Sequence, residues 1–549
     1  MTPLFKTDKF KLAVILFGSF LITFYLLWYN LYADWGIIDD HKVLFYLGPD
    51  GKLKLGEIPG MLFSTEVGKF GVASRFRPSY FILLLTECFL WGNSPITWYL
   101  VRLIVLVLSI SICWWLVQRK VGLFAGAVFT LYLLTFSFWS RMWTRLLTAE
   151  IYAVFGVALF SLGFANLYAS SEDGEGGEGK GSPRDWILLF VGAFIAMGVK
   201  ENFLILLLPA AILFVVFIKR RALGVFSLAS LALIFGYGIF IASAIVVALS
   251  REKVDIYQNP VNASDRLSLI GTPLIHLVLN NYFLILFAAL MLAVFFIYRH
   301  LKSKGESHRA KLLLSSYSVY LIAFLALLIL YISQYVFYNG HWPVGNRYDF
   351  PGVLAMPFFY LFSVVFILRM ATLVKSSGAV RIAILTVFSL ALVYSIYVAG
   401  FSEIREASRA NGEASTEFSL KLSRIVETLS RDKRSNLLLV INDPVYYEHL
   451  VSVPRFLRAR GVENPLYLWV PEFPAETVAS EKNRLLAEHL KFYSRKGSKG
   501  YLMEGIKKRP HGFNPGVEPI GEFHKSKQRC YSISFVGPAT AAGCTEIVD

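Results

Sequence analysis

The sequence predicts a mainly α-helical protein: residues 1–401 form a polytopic transmembrane bundle, and residues 402–549 form a small α/β domain. Composition is the first observation behind this, because 56% of the 549 residues are hydrophobic and only 17% are charged, against about a quarter charged in a soluble domain. Clustering is the second, because apolar blocks such as Leu223–Leu249 and Leu312–Val336 are long enough for a hydrocarbon core of about 30 Å. The third is a change of character after residue 401, where short apolar runs alternate with charged stretches.

Candidate membrane segments follow one another along the first 401 residues. They cover residues 12–33, 79–92, 95–117, 121–140, 147–169, 185–199, 202–218, 223–249, 281–298, 312–336, 350–369 and 380–401. Segments 79–92 and 185–199 are short for a crossing. Treating 79–92 as a partial or surface helix gives eleven spans, and one additional crossing gives thirteen. Leu12–Ala33 is too long for a signal-peptide core and lacks a small-x-small cleavage site, so we expect an uncleaved first span.

The net charge of +16 is read as the positive-inside bias of membrane proteins rather than as a nucleic-acid footprint. Basic loops at 219–221 and 299–311 are assigned to the cytoplasm, which predicts a cytoplasmic N-terminus. The first loop, residues 34–78, and the C-terminal domain then share the outer face. We expect a multi-pass protein of the plasma (inner) membrane whose partners include membrane lipids and no nucleic acid.

The C-terminal region, residues 402–549, alternates predicted helices with strands. Residues 415–433 have helical periodicity, and Leu437–Ile441 and Leu466–Val470 read as strands. Such alternation is typical of an α/β domain. Cys530 and Cys544 pair if this region is extracytoplasmic; the alternative is two unrelated thiols.

Two adjacent carboxylates, Asp39 and Asp40, follow the first span. Such a pair tends to raise the pKa of one member, and that carboxylate can then take a proton from an attacking hydroxyl. The alternative is a solvated loop with helix-capping aspartates. With His41 they could ligate a divalent ion, but three adjacent residues rarely do so alone, and no cofactor is expected to be required.

Further charges lie within or beside apolar segments, where ionisable groups are costly and ask for an explanation. Arg75 and Arg77 precede Pro78 and either anchor a helix or hold a phosphate. A second group comprises Arg102, Arg141, Arg145, Glu150, Lys200 and Glu201. Arg347 and Tyr348 open segment 350–369, where Arg347 can bind a lipid-linked phosphate and Tyr348 can be an interfacial belt residue. The assigned topology brings these charges to the same outer face as Asp39.

These residues resemble the motifs of the GT-C superfamily of membrane glycosyltransferases, including protein O-mannosyltransferases and the aminoarabinose transferase of lipid A. The similar features, over roughly residues 10–400, are the acidic pair Asp39-Asp40, the step Arg77-Pro78 leading to Trp91–Pro95, Thr148–Tyr152, Lys200-Glu201 and Arg347–Pro351. The family's acidic pair is often Asp-Glu, whereas here it is Asp-Asp, and no array of TPR repeats follows.

The resemblance implies an enzyme that transfers a sugar from a polyprenyl-phosphate donor to a glycan, lipid or protein acceptor, with inversion. It implies that Asp39 is the general base and that Asp40 orients the acceptor or tunes the pKa of Asp39. Arg347 and Lys200 are the leading candidates for binding the leaving phosphate, ahead of Arg75, Arg77, Arg141 and Arg145. Two other classes stay open from the residues: a transporter or lipid flippase, and a non-catalytic membrane scaffold.

Overall fold

The computed structural model describes residues 8–36, 40–47, 50–72, 75–172, 181–220, 222–252, 283–337 and 347–430, with shorter stretches between 270 and 277 and between 436 and 533. Asp39 and Cys544 lie outside the described residues, and so does the side chain of Cys530. The proposed disulfide and the role of Asp39 therefore stay predictions.

Most of the described chain is helical, as expected. The α-helices are Asp8–Leu27, His41–Tyr46, Ile58–Phe63, Pro78–Trp91, Pro95–Val121, Leu123–Leu133, Phe138–Trp143, Glu150–Glu172, Pro183–Met197, Leu207–Lys219, Val225–Glu252, Phe283–Ser303, Ser307–Phe337, Ala355–Leu373, Gly378–Ala399 and Ser402–Ser430. Short 3-10 helices span Trp28–Tyr32, Leu55–Glu57, Glu201–Leu206, Arg347–Asp349 and Gly352–Leu354.

Nine helical stretches of the described chain are long and apolar enough to cross a membrane. They are Asp8–Tyr32, Pro95–Val121, Glu150–Ser170, Glu201–Lys219, Val225–Glu252, Leu284–Ser303, Ser307–Gln334, Gly352–Leu373 and Gly378–Glu427. Large apolar side chains such as Phe124, Val225 and Tyr397 face outward, as contact with lipid requires. The chain is a multi-pass membrane protein built on a helical bundle.

Three of the twelve predicted segments form shorter helices. Pro78–Trp91 has 14 residues, Leu123–Leu133 has 11 and Pro183–Met197 has 15. The predicted shortness of segments 79–92 and 185–199 is confirmed, whereas segment 121–140 is interrupted after Leu133. Length and composition thus identify nine spans among the described helices, compared with the eleven to thirteen expected.

Proline and glycine mark where several helices begin and end. Pro78, Pro95 and Pro183 occupy the first turn of their helices, where the missing N–H costs nothing. Gly92 and Gly122 follow helix ends with φ of 54° and 89°, a conformation that residues with a Cβ rarely adopt. The bundle therefore turns sharply between helices Pro78–Trp91 and Pro95–Val121, which brings their polar residues together.

The C-terminal region begins with the amphipathic helix Ser402–Ser430, which contains the predicted helix 415–433 up to residue 430. Its buried side, with Ile404, Phe418 and Leu422, packs on the membrane part of the chain. Polar contacts reinforce the packing, because Asn411 donates hydrogen bonds to Asn30 at 3.2 Å and to Tyr99 at 3.0 Å.

Five strands are described beyond this helix, and both predicted strands are among them. They are β1 Asn436–Ile441, β2 Leu466–Pro471, β3 Tyr493–Ser494, β4 Gly500–Glu504 and β5 Gln528–Ile533. The sheet order is β3-β4-β2-β1-β5, in which β1 is parallel to β2 and β5, and β4 is antiparallel to β2 and β3. Predicted helix 475–495 lies almost wholly outside the described residues. The α/β domain as a folded unit, with a boundary near residue 402, stays a prediction.

Candidate active site at one end of the helical bundle

A non-helical segment, residues 144–149, joins helices Phe138–Trp143 and Glu150–Glu172. It lies deep in the protein: Leu146 and Thr148 are 0% exposed. Its backbone N–H and C=O groups cannot reach water, so each needs a partner within the protein. The partners of this buried segment organise the site.

Side chains from distant parts of the sequence supply these partners. Asp40 Oδ1 accepts from Leu146 N–H (3.3 Å), Arg102 Nη2 donates to Leu146 C=O (3.2 Å), Tyr80 Oη donates to Leu147 C=O (3.2 Å) and Asn30 Nδ2 donates to Trp143 C=O (2.9 Å). The acidic loop and the helix after Arg77-Pro78 thus contact the same short segment.

Asp40 is 1% exposed and precedes helix His41–Tyr46. Its Oδ2 accepts a hydrogen bond from Gly36 N–H at 2.8 Å, while Oδ1 binds Leu146. Both carboxylate oxygens therefore accept from backbone N–H groups. Asp40, which follows Asp39 in the sequence, therefore links the backbone of Gly36 to that of Leu146.

Glu150, the residue that follows segment 144–149, forms a buried ion pair with Lys200. Lys200 Nζ lies 3.2 Å from Glu150 Oε1 and donates to the carbonyl of Phe350 at 2.5 Å. Lys200 is 3% exposed and Glu150 is 8% exposed. Glu150 also begins helix Glu150–Glu172, where the helix dipole favours a negative charge. This pair joins the predicted Lys200-Glu201 motif to the predicted Arg347–Pro351 motif.

Arg347 and Tyr348 are half-buried in the 3-10 helix Arg347–Asp349. The guanidinium of Arg347 lies 5.3 Å from the centre of the Tyr348 ring and attracts the carboxylate of Glu150 electrostatically. The backbone carbonyl of Tyr348 accepts a hydrogen bond from Gln334. Arg347 therefore adds a second positive charge near Glu150.

Arg77 has a carboxylate partner that the sequence did not indicate. Its Nε and Nη2 lie 3.0 and 3.1 Å from the two oxygens of Glu66, in a forked arrangement. Burial disfavours the charged guanidinium, but Glu66 outweighs burial and raises the pKa of Arg77, with a smaller attraction from Glu201. This pair ties Arg77, at the start of helix Pro78–Trp91, to the loop that contains Glu66.

The remaining predicted cations and Glu201 occupy different environments. Arg141 is exposed at the end of helix Phe138–Trp143, and Arg145 is half-buried within segment 144–149. The backbone of Arg75 pairs with that of Val72 in an isolated bridge. Glu201 is 6% exposed and begins a 3-10 helix next to Lys200.

A buried cluster of Glu87, Arg102 and Tyr152 is the main feature that the sequence reasoning missed. Arg102 Nη1 and Nη2 lie 2.5 and 2.6 Å from the oxygens of Glu87, and Nη2 lies 2.8 Å from Tyr152 Oη. An ionisable residue inside an apolar run implies a partner. Glu87, an acidic residue within apolar segment 79–92, was the sequence signal for a buried partner of opposite charge. Arg102, in the next apolar segment, is that partner.

A cleft of about 160 Å³ lies between the loop that follows the first span and the C-terminal region. Its lining comprises Asp34, Trp35, Leu44, Asn93, Pro95, Phe456, Ala459 and Arg460. Neither Lys200 nor Glu150 is among these lining residues. The lining includes one acidic side chain, Asp34, and one basic side chain, Arg460. His41 ties the same two regions together, because its Nδ1 lies 2.7 Å from Ser452 Oγ.

No group of three His, Cys, Asp or Glu side chains suited to a metal ion occurs in the described part of the chain. Because Asp39 lies outside that part, the expectation that no metal is required stays a prediction.

Comparison with known proteins finds no matching family model and no matching curated protein. Solved structures that are similar include ArnT from Cupriavidus metallidurans bound to undecaprenyl phosphate, at 11% identity and a TM-score of 0.38, covering 90% of this chain and 97% of that chain. The Archaeoglobus fulgidus oligosaccharyltransferase tethered with an acceptor peptide is similar at 12% identity and a TM-score of 0.41, covering 90% and 74%. At these TM-scores neither likeness establishes an activity.

Proposed function

We propose that the protein is an inverting glycosyltransferase of the membrane that moves a sugar from a polyprenyl-phosphate donor to an acceptor on the outer face. The observation that carries this proposal is the convergence of four separate sequence motifs on segment 144–149. Asp40 and Tyr80 contact the segment directly, and Lys200 links Glu150, which follows it, to Phe350. Residues 50 to 150 positions apart in the sequence would not meet in this way if the charges only anchored separate helices to the membrane surface.

The reaction needs a base for the acceptor, and Asp39 is our candidate. Asp39 removes the proton of an acceptor hydroxyl as its oxygen attacks the anomeric carbon. The bond from that carbon to the phosphate oxygen breaks, and its electron pair leaves with the lipid phosphate. Attack opposite the leaving group inverts the anomeric centre. Asp40 already accepts hydrogen bonds from two backbone N–H groups, which supports a role in holding the backbone next to Asp39 in the sequence.

The leaving lipid phosphate needs fixed positive charge, because preorganised electrostatics lower the barrier more than any other single effect in many enzymes. Lys200 and Arg347 are the candidates, and Glu150 is the anion that they share in the absence of substrate. We propose that the phosphate competes with the Glu150 carboxylate for these two cations. The single 3.2 Å contact of Lys200 with Glu150 supports such an exchange, since a lysine ammonium can redirect its donors.

The acceptor is assigned to the cleft between the first external loop and the C-terminal region. Its walls include Asp34, five residues before Asp39, and Arg460 from the C-terminal side. One acidic and one basic side chain in the same lining as the apolar ring of Phe456 suit a polar acceptor with hydroxyl groups. The C-terminal region would then select the acceptor while the membrane bundle binds the donor.

Transfer of radiolabelled sugar tests the proposal. Purified protein in lipid vesicles receives a panel of short-chain polyprenyl-phosphate sugars and membrane extract as acceptor. Wild type should form labelled product with at least one donor. Asp39→Asn should lower the rate by roughly 10²–10⁴-fold, the usual contribution of a general base.

Asp8→Asn is the matched control, because Asp8 is an exposed aspartate that pairs with nearby Lys11 at the start of the first span. It should transfer at the wild-type rate. Equal rates for wild type and Asp39→Asn would remove Asp39 from the mechanism and direct attention to Asp40. Failure of wild type with every donor would contradict the proposal and favour a transporter or a scaffold.

A further inference from the structure

Glu87 and Arg102 are buried charges for which the proposed chemistry has no direct use. Arg102 is 1% exposed within span Pro95–Val121, and Glu87 is 8% exposed in helix Pro78–Trp91. Burying two charges is costly even when they pair, and an apolar pair of similar size is often as stable. The burial of this pair therefore needs an explanation other than stability.

The geometry of the pair fixes the Arg102 guanidinium in one orientation. Two parallel N–H groups of Arg102 bind the two oxygens of Glu87, and the guanidinium lies over the rings of Tyr152 at 4.7 Å and Trp98 at 5.6 Å. The Tyr152 hydroxyl bonds to both charged partners. Because a planar guanidinium held at two edges and one face cannot rotate, its remaining N–H directions are set.

One of these directions leads to segment 144–149. Arg102 Nη2 donates to the carbonyl of Leu146 at 3.2 Å, and the N–H of the same Leu146 donates to Asp40 Oδ1 at 3.3 Å. Asp40 Oδ2 in turn accepts from Gly36 N–H. A continuous series of contacts thus runs from Glu87 through Arg102 and Leu146 to Asp40 and Gly36.

We infer that Glu87, Arg102 and Tyr152 are positioning residues that hold Leu146, and through it Asp40, in the geometry that transfer requires. The inference rests on the proposed function. None of the three residues touches the reacting atoms in this scheme. Their substitution should lower kcat while the KM for the donor stays unchanged, because the Lys200–Glu150 pair is left intact.

Two conservative variants test the inference without emptying the cavity. Glu87→Gln keeps the shape but replaces the charged acceptor, and Tyr152→Phe removes only the hydroxyl. Tyr320→Phe is the matched control, since Tyr320 is also buried and its hydroxyl bonds to Ser363 in a separate apolar cluster. Each variant is purified, its folded fraction is measured by thermal unfolding, and kcat and KM are expressed per folded protein.

Hydrogen exchange at residues 142–150 supplies a second measurement that needs no activity. In Glu87→Gln and Tyr152→Phe we expect faster exchange of the Leu146 amide, and in Tyr320→Phe an unchanged rate. We expect kcat to fall roughly 10- to 100-fold in Glu87→Gln, the loss that an error of about 1 Å in position can cause, and less in Tyr152→Phe.

Faster exchange with an unchanged kcat would overturn the inference, and so would unchanged exchange in Glu87→Gln. A loss of kcat fully explained by a smaller folded fraction would overturn it as well. If wild type transfers no sugar while the exchange results come out as expected, the proposed function has failed but the mechanical link from Glu87 to Leu146 stands.

Discussion

Two buried ion pairs adjoin segment 144–149, Arg102 with Glu87 and Lys200 with Glu150, and their geometries differ. Arg102 binds Glu87 through two short parallel contacts of 2.5 and 2.6 Å, with an aromatic ring against its face. Lys200 meets Glu150 through one contact of 3.2 Å and donates another hydrogen bond to the carbonyl of Phe350. Glu150 also has the attraction of a second cation, Arg347. The first pair is suited to hold a position, and the second is suited to exchange partners.

This difference indicates that charge at the membrane surface is not enough to identify a substrate ligand. A forked arginine pair, such as Arg77 with Glu66, has fixed geometry and a neutralised charge. A lysine at a shared carboxylate can bind a phosphate with little rearrangement of the backbone. Removing one member of each pair should therefore have different consequences.

The largest expected effect is on stability at the rigid pair. Arg102→Met should leave Glu87 buried without its cation and lower the free energy of unfolding by about 3–5 kcal/mol. Lys200→Met should lower the free energy of unfolding by less than half as much, because Glu150 keeps the attraction of Arg347. Thermal unfolding of both variants in the same detergent measures the difference. Equal destabilisation would show that the two pairs do not differ in this way.

The next effect concerns donor binding at the exchangeable pair. Lys200→Gln should raise the donor KM roughly 10- to 100-fold, since a hydrogen bond to a charged group contributes about 1.5–3 kcal/mol. Lys219→Gln is the control, because Lys219 is an exposed lysine at the end of helix Leu207–Lys219. Transfer rates measured over a range of donor concentrations give the donor KM of both variants. An unchanged donor KM in Lys200→Gln would remove Lys200 from phosphate binding.

A smaller effect is expected at the cleft. Arg460→Gln should raise the acceptor KM by roughly 3- to 10-fold and leave the donor KM unchanged, since a partly exposed charge contributes about 1 kcal/mol. Arg409→Gln, an exposed substitution on helix Ser402–Ser430, should change neither value. A change in donor KM alone would contradict the division between donor and acceptor sites.

No effect is expected from metal removal. Transfer measured with and without EDTA should proceed at equal rates, because the general base Asp39 and the cations Lys200 and Arg347 supply the proposed chemistry. Loss of transfer with EDTA and its recovery with a divalent ion would instead indicate that Asp39 and Asp40 ligate a metal.

The helical membrane bundle was predictable because apolar blocks of 20 or more residues allow little else. The residues of the candidate site were also predictable as single charges, since each is costly in or near a bilayer. Their partners were not. Glu66 lies eleven residues from Arg77 in a loop without periodicity, and the pairing of Glu87 with Arg102 depends on how two helices cross.

The two backbone contacts of Asp40, with Gly36 and Leu146, could likewise not be predicted from the sequence. Segment 144–149 needs hydrogen-bond partners only because it is buried and not helical, and neither property follows from its residues alone. The residues alone presented Asp39 and Asp40 as an adjacent acidic pair, and only the resemblance gave them different roles. The contacts of Asp40 with Gly36 and Leu146 support a division of labour between them.

The most direct test of phosphate binding at the exchangeable pair is a structure of the purified protein with a polyprenyl phosphate bound, in which the distance from the phosphate to Lys200 Nζ is measured. We expect a phosphate oxygen within hydrogen-bonding distance of Lys200, with the Glu150 carboxylate displaced and Arg347 nearby. A phosphate bound elsewhere, with the 3.2 Å Lys200–Glu150 contact unchanged, would contradict the proposed donor site.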